Sequence, residues 1–215
     1  MVLKKWFRFT RFQLLVHGAS LLPFLILVVN YLTGNLTYDP IQAAMQRTGR
    51  YAMVLLLISL TCTPLNTILG FRPALKVRRA LGLYAFFYAS LHFFIFSVLD
   101  FQLNLSLILR EIVNKRYIIV GTLALVILVA LALTSTQRSM KRLGKLWKTL
   151  HQLVYAAAIL VILHFMWVVK SDIREPLFYG AVLALLLLVR IPAIRKKLSA
   201  RPPRWIEPVN RALAK

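Results

Sequence analysis

Acidic residues and cysteine are the scarce components of this chain: 6 Asp+Glu and one Cys in 215 residues. A lone Cys62 excludes an internal disulfide, an iron–sulfur cluster held by this chain alone and a thiolate zinc site. None of the acids lies deep in an apolar run, which argues against proton transport through a buried carboxylate. Charged residues make up only 16%, where a soluble domain carries about 25%. Short segments with dyad alternation are missing, which argues against an outer-membrane barrel. No linker or low-complexity stretch divides the chain, and no internal repeat is evident, which weakens an inverted-repeat transporter.

Apolar residues, by contrast, reach 60%, and the mean hydropathy is +0.71. A hydrocarbon core of about 30 Å takes about 20 apolar residues in a helix. Six runs qualify, at about 12–32, 48–66, 81–99, 117–134, 150–169 and 177–192, followed by a basic tail at 193–215. The expected fold is all-α, a single polytopic domain over 1–215 with six transmembrane helices. Pro23 falls inside the first run and should kink it. That run is too long for a cleaved signal peptide and lacks a small-x-small cleavage site, so it reads as a span.

The 28 Lys+Arg give a net charge of +22, yet the cations cluster between apolar runs, unlike those of a nucleic-acid binder. Lys4, Lys5, Arg8 and Arg11, the group Arg72–Arg79, the group Arg138–Lys148 and the C-terminal tail put 21 on one side. The alternate loops hold 7, together with five of the six acids. The positive-inside rule then places both termini in the cytoplasm, with attraction to anionic lipid as a by-product.

Ionisable groups inside spans are the candidates for function. Four histidines qualify: His17, His92, His151 and His164. In the expected topology His92 and His164 fall in the outer halves of the third and fifth spans, at one level on two helices. Two imidazoles so placed suit the axial positions of a b-type haem. Ala85, Ala89 and Ala157 leave room for a flat macrocycle, and Phe93, Phe94, Phe96, Phe165, Met166 and Trp167 are candidate walls. The alternative is that each histidine merely hydrogen-bonds a neighbouring helix. Zinc competes poorly, because no carboxylate or thiol lies at that depth.

His151 precedes His164 by 13 residues, about 20 Å along a helix, the separation of one cofactor per leaflet. Where a matching ligand would stand on the third span, the chain has Arg78 and Arg79. His17 is the substitute at that depth. His151 can also be an interfacial histidine beside Trp147, and His17 a plain helix contact. Arg78 and Arg79 read either as positive-inside anchors or as partners of an anionic cofactor such as a flavin phosphate or a quinone oxygen. Trp147 and Tyr84 are possible stacking platforms. Arg47 and Arg50 have two readings on the other side, haem propionate partners or anchors.

The stretch Trp147–His164, WKTLHQLVYAAAILVILH, resembles the fifth helix of the ferric reductase-like transmembrane superfamily, and Arg78–His92, RRALGLYAFFYASLH, resembles its third. LLPFLILV around Pro23, DPIQAAMQRTGR at 39–50, TCTPL at 61–65 and LALTSTQ at 131–137 carry a closer resemblance. It is to the haem-binding membrane subunits of bacterial periplasmic protein-methionine-sulfoxide reductase systems, and it covers about residues 10–195.

The resemblance implies a multi-pass inner-membrane b-type cytochrome that moves electrons from a cytoplasmic flavin reductase or quinol to a periplasmic molybdopterin-containing subunit. That partner would reduce methionine sulfoxide in oxidised envelope proteins. The resemblance also implies His92, His151 and His164 as haem ligands and FMN near the inner surface. The two-arginine departure leaves a second haem open. A stand-alone quinol- or ferric-reducing cytochrome and, further off, a small histidine-lined transporter are the competing expectations.

Overall fold

The computed structural model describes residues 9–169, 172–199, 203 and 205–214. Lys4, Lys5, Arg8, Lys170, Arg201, Arg204 and Lys215, counted above for topology, lie outside them. Among the described residues the chain is helical throughout, with no strand: α1 Arg11–Leu32, α2 Pro40–Leu69, α3 Pro73–Phe94, α4 Leu105–Asn114, α5 Arg116–Leu133, α6 Gln137–Leu143, α7 Lys145–Val168, α8 Arg174–Leu188, α9 Pro192–Leu198 and α10 Ile206–Ala214. A π-helical segment, Ile95–Asp100, prolongs α3.

Local chemistry sets the helix limits. Thr10 caps α1 reciprocally with Gln13, which satisfies two N-terminal N–H groups. Asp39 accepts from the Gln42 N–H at 3.0 Å and is followed by Pro40 at the first helical position. α2 therefore starts about two turns before the apolar run that announced it. It stops at Gly70, whose φ of 70° is left-handed. Gly144, at φ 50°, separates α6 from α7.

Among the described residues five helices are long and apolar enough to cross a membrane, counting α3 with its π extension. The chain is thus a multi-pass membrane protein. The sixth span differs from expectation. α8 has 15 residues, about 22 Å of helix, short of the hydrocarbon thickness. It forms a sixth crossing only together with α9, to which it is bent by 84°. The cause is Pro192, which has no N–H to offer the Leu188 carbonyl. A tight turn from the Ile191 N–H serves that carbonyl instead, at 3.0 Å.

α2 packs along α3, and α5 along α7, as two hairpins with α8 against α7. Their shared core includes Leu56, Leu60, Ala85, Leu128, Ala157 and Ala158. Two prolines break helix ladders inside this assembly, and a side chain from another helix serves each break. The fully buried Tyr88 of α3 accepts from Phe24 N–H (3.0 Å) and donates to the Ser20 carbonyl (2.7 Å), the pair that brackets Pro23 of α1. Pro64 leaves the Leu60 carbonyl of α2 without its helical donor. Arg190, in the bend after α8, donates Nη2 to that oxygen at 2.6 Å and Nη1 to the Tyr155 hydroxyl at 2.7 Å. These bonds fix α1 to α3, and the α8 end to both hairpins.

Candidate functional site: a facing pair of imidazoles

His92 of α3 and His164 of α7 meet across the two hairpins. Their ring centres are 6.2 Å apart and the ring planes cross at 84°. Each ring is anchored in the same way. His92 Nδ1 lies 2.8 Å from the Met45 carbonyl of α2, and His164 Nδ1 lies 2.7 Å from the Tyr117 carbonyl of α5. A carbonyl only accepts, so Nδ1 carries the proton in both rings and Nε2 keeps its lone pair. This is the tautomer and the backbone anchorage of a metal-ligating histidine.

A glycine makes each approach possible. A Cβ at Gly49 would come within 3.1 Å of His92 Nδ1, and one at Gly121 within 2.7 Å of His164 Nδ1. Each glycine stands one turn after the carbonyl that its histidine uses. The bare backbone lets the ring lie flat on the neighbouring helix and reach the oxygen one turn back.

The two half-sites repeat in register. Adding 72 to Met45, Gly49 and His92 gives Tyr117, Gly121 and His164. The same step takes the buried Leu56 to Leu128 and Ala85 to Ala157. The chain therefore does contain an internal repeat of one helical hairpin, contrary to the sequence-based expectation. Sparse apolar identities hid it.

The pair fits a haem iron. A metal bound by two Nε2 atoms at about 2 Å each would set the ring centres about 6 Å apart. Ala85 and Ala157 are fully buried in the core shared by the two hairpins. Among the described residues no cluster of three His, Cys, Asp or Glu exists for a tetrahedral ion. Of the expected walls, Phe94 and Trp167 are instead about half exposed, because they sit on the outward faces of α3 and α7. Phe165 packs on Tyr179, and Phe93 on Phe96.

The other candidate residues lie elsewhere. His151 stacks on Trp147 at 4.0 Å and 26°. Its Nδ1 lies 3.1 Å from the Trp147 carbonyl, and its Nε2 is buried with no partner. The Trp147 indole N–H donates to the Thr134 carbonyl at the end of α5, at 3.0 Å. The repeat places Arg79 at the position equivalent to His151 (79 plus 72), and Arg79 is exposed. Arg78, also exposed, donates to Thr63 Oγ1 at 3.1 Å. His17 is engaged by the Tyr84 hydroxyl at 2.8 Å, and its α1 packs chiefly on α3. Arg50 pairs with Glu175 at 2.8 Å at the surface. Arg47 is half-buried and makes no hydrogen bond or ion pair among the described residues. Sequence reasoning missed Gly49 and Gly121. A helical glycine at the depth of each histidine was the signal that could have found them.

A membrane helical bundle built on two hairpins, with one imidazole from each, defines the class, and residues 48–162 match the family described as ferric reductase like transmembrane component. Three relatives carry the printed name protein-methionine-sulfoxide reductase heme-binding subunit MsrQ. That of Rhodospirillum rubrum is 42% identical over 193 residues, covering 89% of this chain and 93% of the relative. That of Xanthomonas axonopodis pv. citri is 44% identical over 193 residues, covering 87% of each chain. That of Xanthomonas campestris pv. campestris strain 8004 is 46% identical over 192 residues, covering 86% and 87%. The chain belongs to the ferric reductase like transmembrane family and, within it, to the heme-binding subunits of protein-methionine-sulfoxide reductase.

Proposed function

We propose that the chain is a b-type cytochrome subunit that conducts electrons across the bacterial inner membrane to a periplasmic methionine sulfoxide reductase. The observation that carries this reading is the facing pair His92 and His164, both with Nδ1 tied to a backbone carbonyl and Nε2 free to ligate. A haem b held by these two nitrogens supplies reversible one-electron chemistry. The protein's share is ligation, burial and tuning of the potential. The carbonyls of Met45 and Tyr117 raise the basicity of each imidazole and hold its orientation. Gly49 and Gly121 keep the rings on the helix backbones, and the apolar core beneath keeps water from the pair.

Orientation follows from charge. The end of the bundle bearing Arg72, Lys76, Arg78, Arg79 and the basic residues of α6 and α9 faces the cytoplasm. With α8 and α9 counted as one span, six crossings bring both termini to that side. His92 and His164 then lie toward the periplasm, near the point of electron exit. Trp147 and His151 lie near the point of entry, where the stacked rings offer a short path inward. The orphaned Nε2 makes His151 the candidate ligand for a second haem. With Arg79 in the equivalent place and His17 engaged by Tyr84, no second imidazole is offered there among the described residues. Arg78 and Arg79 are the candidate partners of a flavin phosphate or quinone oxygen brought by the donor, whether a cytoplasmic flavin reductase or a membrane quinol.

The final reaction consumes two electrons and two protons, converts the sulfoxide to a thioether and releases water. It belongs to the molybdopterin-containing partner, and this chain binds no methionine sulfoxide. The segments 100–116 and 170–176 at the exit end are the candidate partner contacts, with residues 170 and 171 outside the described residues.

The test is direct. The full chain, purified in nanodiscs, should contain iron, show a b-type Soret and α-band spectrum, and reoxidise when the periplasmic partner and methionine sulfoxide are added together. A colourless protein refutes the cytochrome reading. A cytochrome that reduces ferric chelates yet never reoxidises with the partner favours the stand-alone alternative.

A further inference from the structure

At the His92/His164 end of the bundle a short helix joins the extension of α3 to α5. The π-helical extension of α3 ends at Asp100, and α5 starts at Arg116. Between them lies α4, Leu105–Asn114, capped by Asn104 and packed on α5. Its ten residues give about 15 Å of helix, a bridge between the ends of two spans and too short for a crossing.

Apart from Leu107, which is 43% exposed on the far side of the polar residues, the outlying side chains of α4 form one buried and two exposed sets. Ile108 is buried against the protein. Leu105, Leu109 and Val113 are 69%, 61% and 71% exposed, and their i, i+4, i+8 spacing makes one stripe. Ser106, Arg110 and Asn114 are exposed one residue further on at each step, so they form a polar stripe about 100° round the helix. Exposed leucine on a membrane span needs no explanation, since lipid covers it. On a helix too short to cross, placed between the ends of two spans, an apolar stripe of three large side chains faces water unless something covers it.

We infer that α4 is an in-plane helix whose Leu105/Leu109/Val113 stripe is embedded among the acyl chains of the lipid leaflet at that end. Two observations identify lipid as the cover. The stripe leads directly in the chain to a lipid-facing span: α5, reached through the single residue Lys115, exposes Ile119, Leu123 and Val126 from the same end. The charges also suit the headgroup layer. Arg110, Lys115 and Arg116 ring the helix, and Glu111, the one acid of α4, is paired with Lys115. Apolar body below and cations at the phosphate level is the arrangement of an interfacial helix. The consequence concerns the site. Tyr117, whose carbonyl anchors His164, is two residues beyond Lys115, so the buoyancy of α4 sets the depth at which that anchor sits. It also narrows the surface left for a soluble partner to the Ser106/Arg110/Asn114 stripe.

The inference depends on the chain spanning a bilayer and is independent of haem. The test places single cysteines, in a Cys62→Ala background, at Leu105, Leu109, Val113, Ser106, Arg110 and Asn114 of the full chain. Each is spin-labelled in nanodiscs of phosphatidylethanolamine and phosphatidylglycerol. Collision with oxygen reports lipid, and collision with a water-soluble nickel chelate reports solvent. The oxygen-to-nickel ratio should be several-fold higher at the three apolar positions than at the three polar ones. Nickel access at all six overturns the inference in favour of a water-facing partner surface. Low access to both probes at the apolar positions overturns it in favour of a contact with a second copy. Native haem content and near-native melting of each labelled variant confirm that the fold is intact.

Discussion

The hairpin of α2 and α3 and the hairpin of α5 and α7 are alike at one end and unlike at the other. At the shared end, carbonyl, glycine and histidine recur at a constant step, and each hairpin contributes one ring whose Nδ1 is tied to a backbone carbonyl. At the opposite end the second hairpin has His151, stacked on Trp147 with a buried free nitrogen, and the first has the exposed Arg79. The two hairpins thus share one arrangement at the His92/His164 end and differ at the other; under the proposed function these are the ends where electrons would leave and enter. Symmetry of backbone anchorage is what a two-ligand iron needs. Asymmetry at the other end leaves exposed cations, which the proposed function assigns to an anionic donor.

Four experiments press on this contrast, in order of falling effect. Loss of either His92 or His164 by substitution with Ala should abolish the low-spin haem spectrum, whereas His151→Ala should leave it intact and slow reduction from the cytoplasmic side. Rapid-mixing absorbance with a reduced flavin separates these outcomes. If His151→Ala bleached the protein as fully as His164→Ala, the asymmetry would be wrong.

The glycines come next. A methyl at Gly121 meets His164 at 2.7 Å, and one at Gly49 meets His92 at 3.1 Å. Gly121→Ala should displace its ring, lowering haem occupancy or opening a coordination position. Gly49→Ala should retain haem with a modest change in potential. Redox titration of both variants should rank them in that order, and equal effects would mean that the two half-sites yield alike.

Tyr88→Phe removes the hydroxyl that serves both Ser20 and Phe24 at the Pro23 break. Leaving buried backbone groups unpaired costs about 1–3 kcal/mol, so the thermal midpoint should fall while the haem spectrum stays unchanged. Smallest of all, Arg50→Gln breaks an ion pair with Glu175 whose side chains are 54% and 41% exposed. Such pairs contribute at most about 1 kcal/mol, so stability and spectrum should both stay within error of the parent.

Much of the architecture was readable from the residues. Apolar runs located the spans, and the two histidines read as lying at equal depth on separate helices are the two whose rings the structure brings within 6.2 Å. The ends of the helices were less legible. α2 begins at Pro40 because Asp39 caps it, a polar signal that a hydropathy reading passes over. α4 and α6 are too short and too mixed to register as spans. The last span breaks at Pro192, which looked like its limit rather than its bend. In the site, the Met45 and Tyr117 carbonyls left no trace in the sequence, because a backbone oxygen is the same in every residue. Nothing in the sequence marks Tyr88 and Arg190 as partners of the proline breaks. Their work at Pro23 and Pro64 emerges only when helices distant in the chain are brought together.

The most direct test is low-temperature electron paramagnetic resonance of the oxidised, purified chain beside His92→Ala and His164→Ala. The parent should give a low-spin ferric signal of two imidazole ligands, and each variant should lose it. A parental low-spin signal persisting in both variants would contradict the assignment of His92 and His164 as the axial pair.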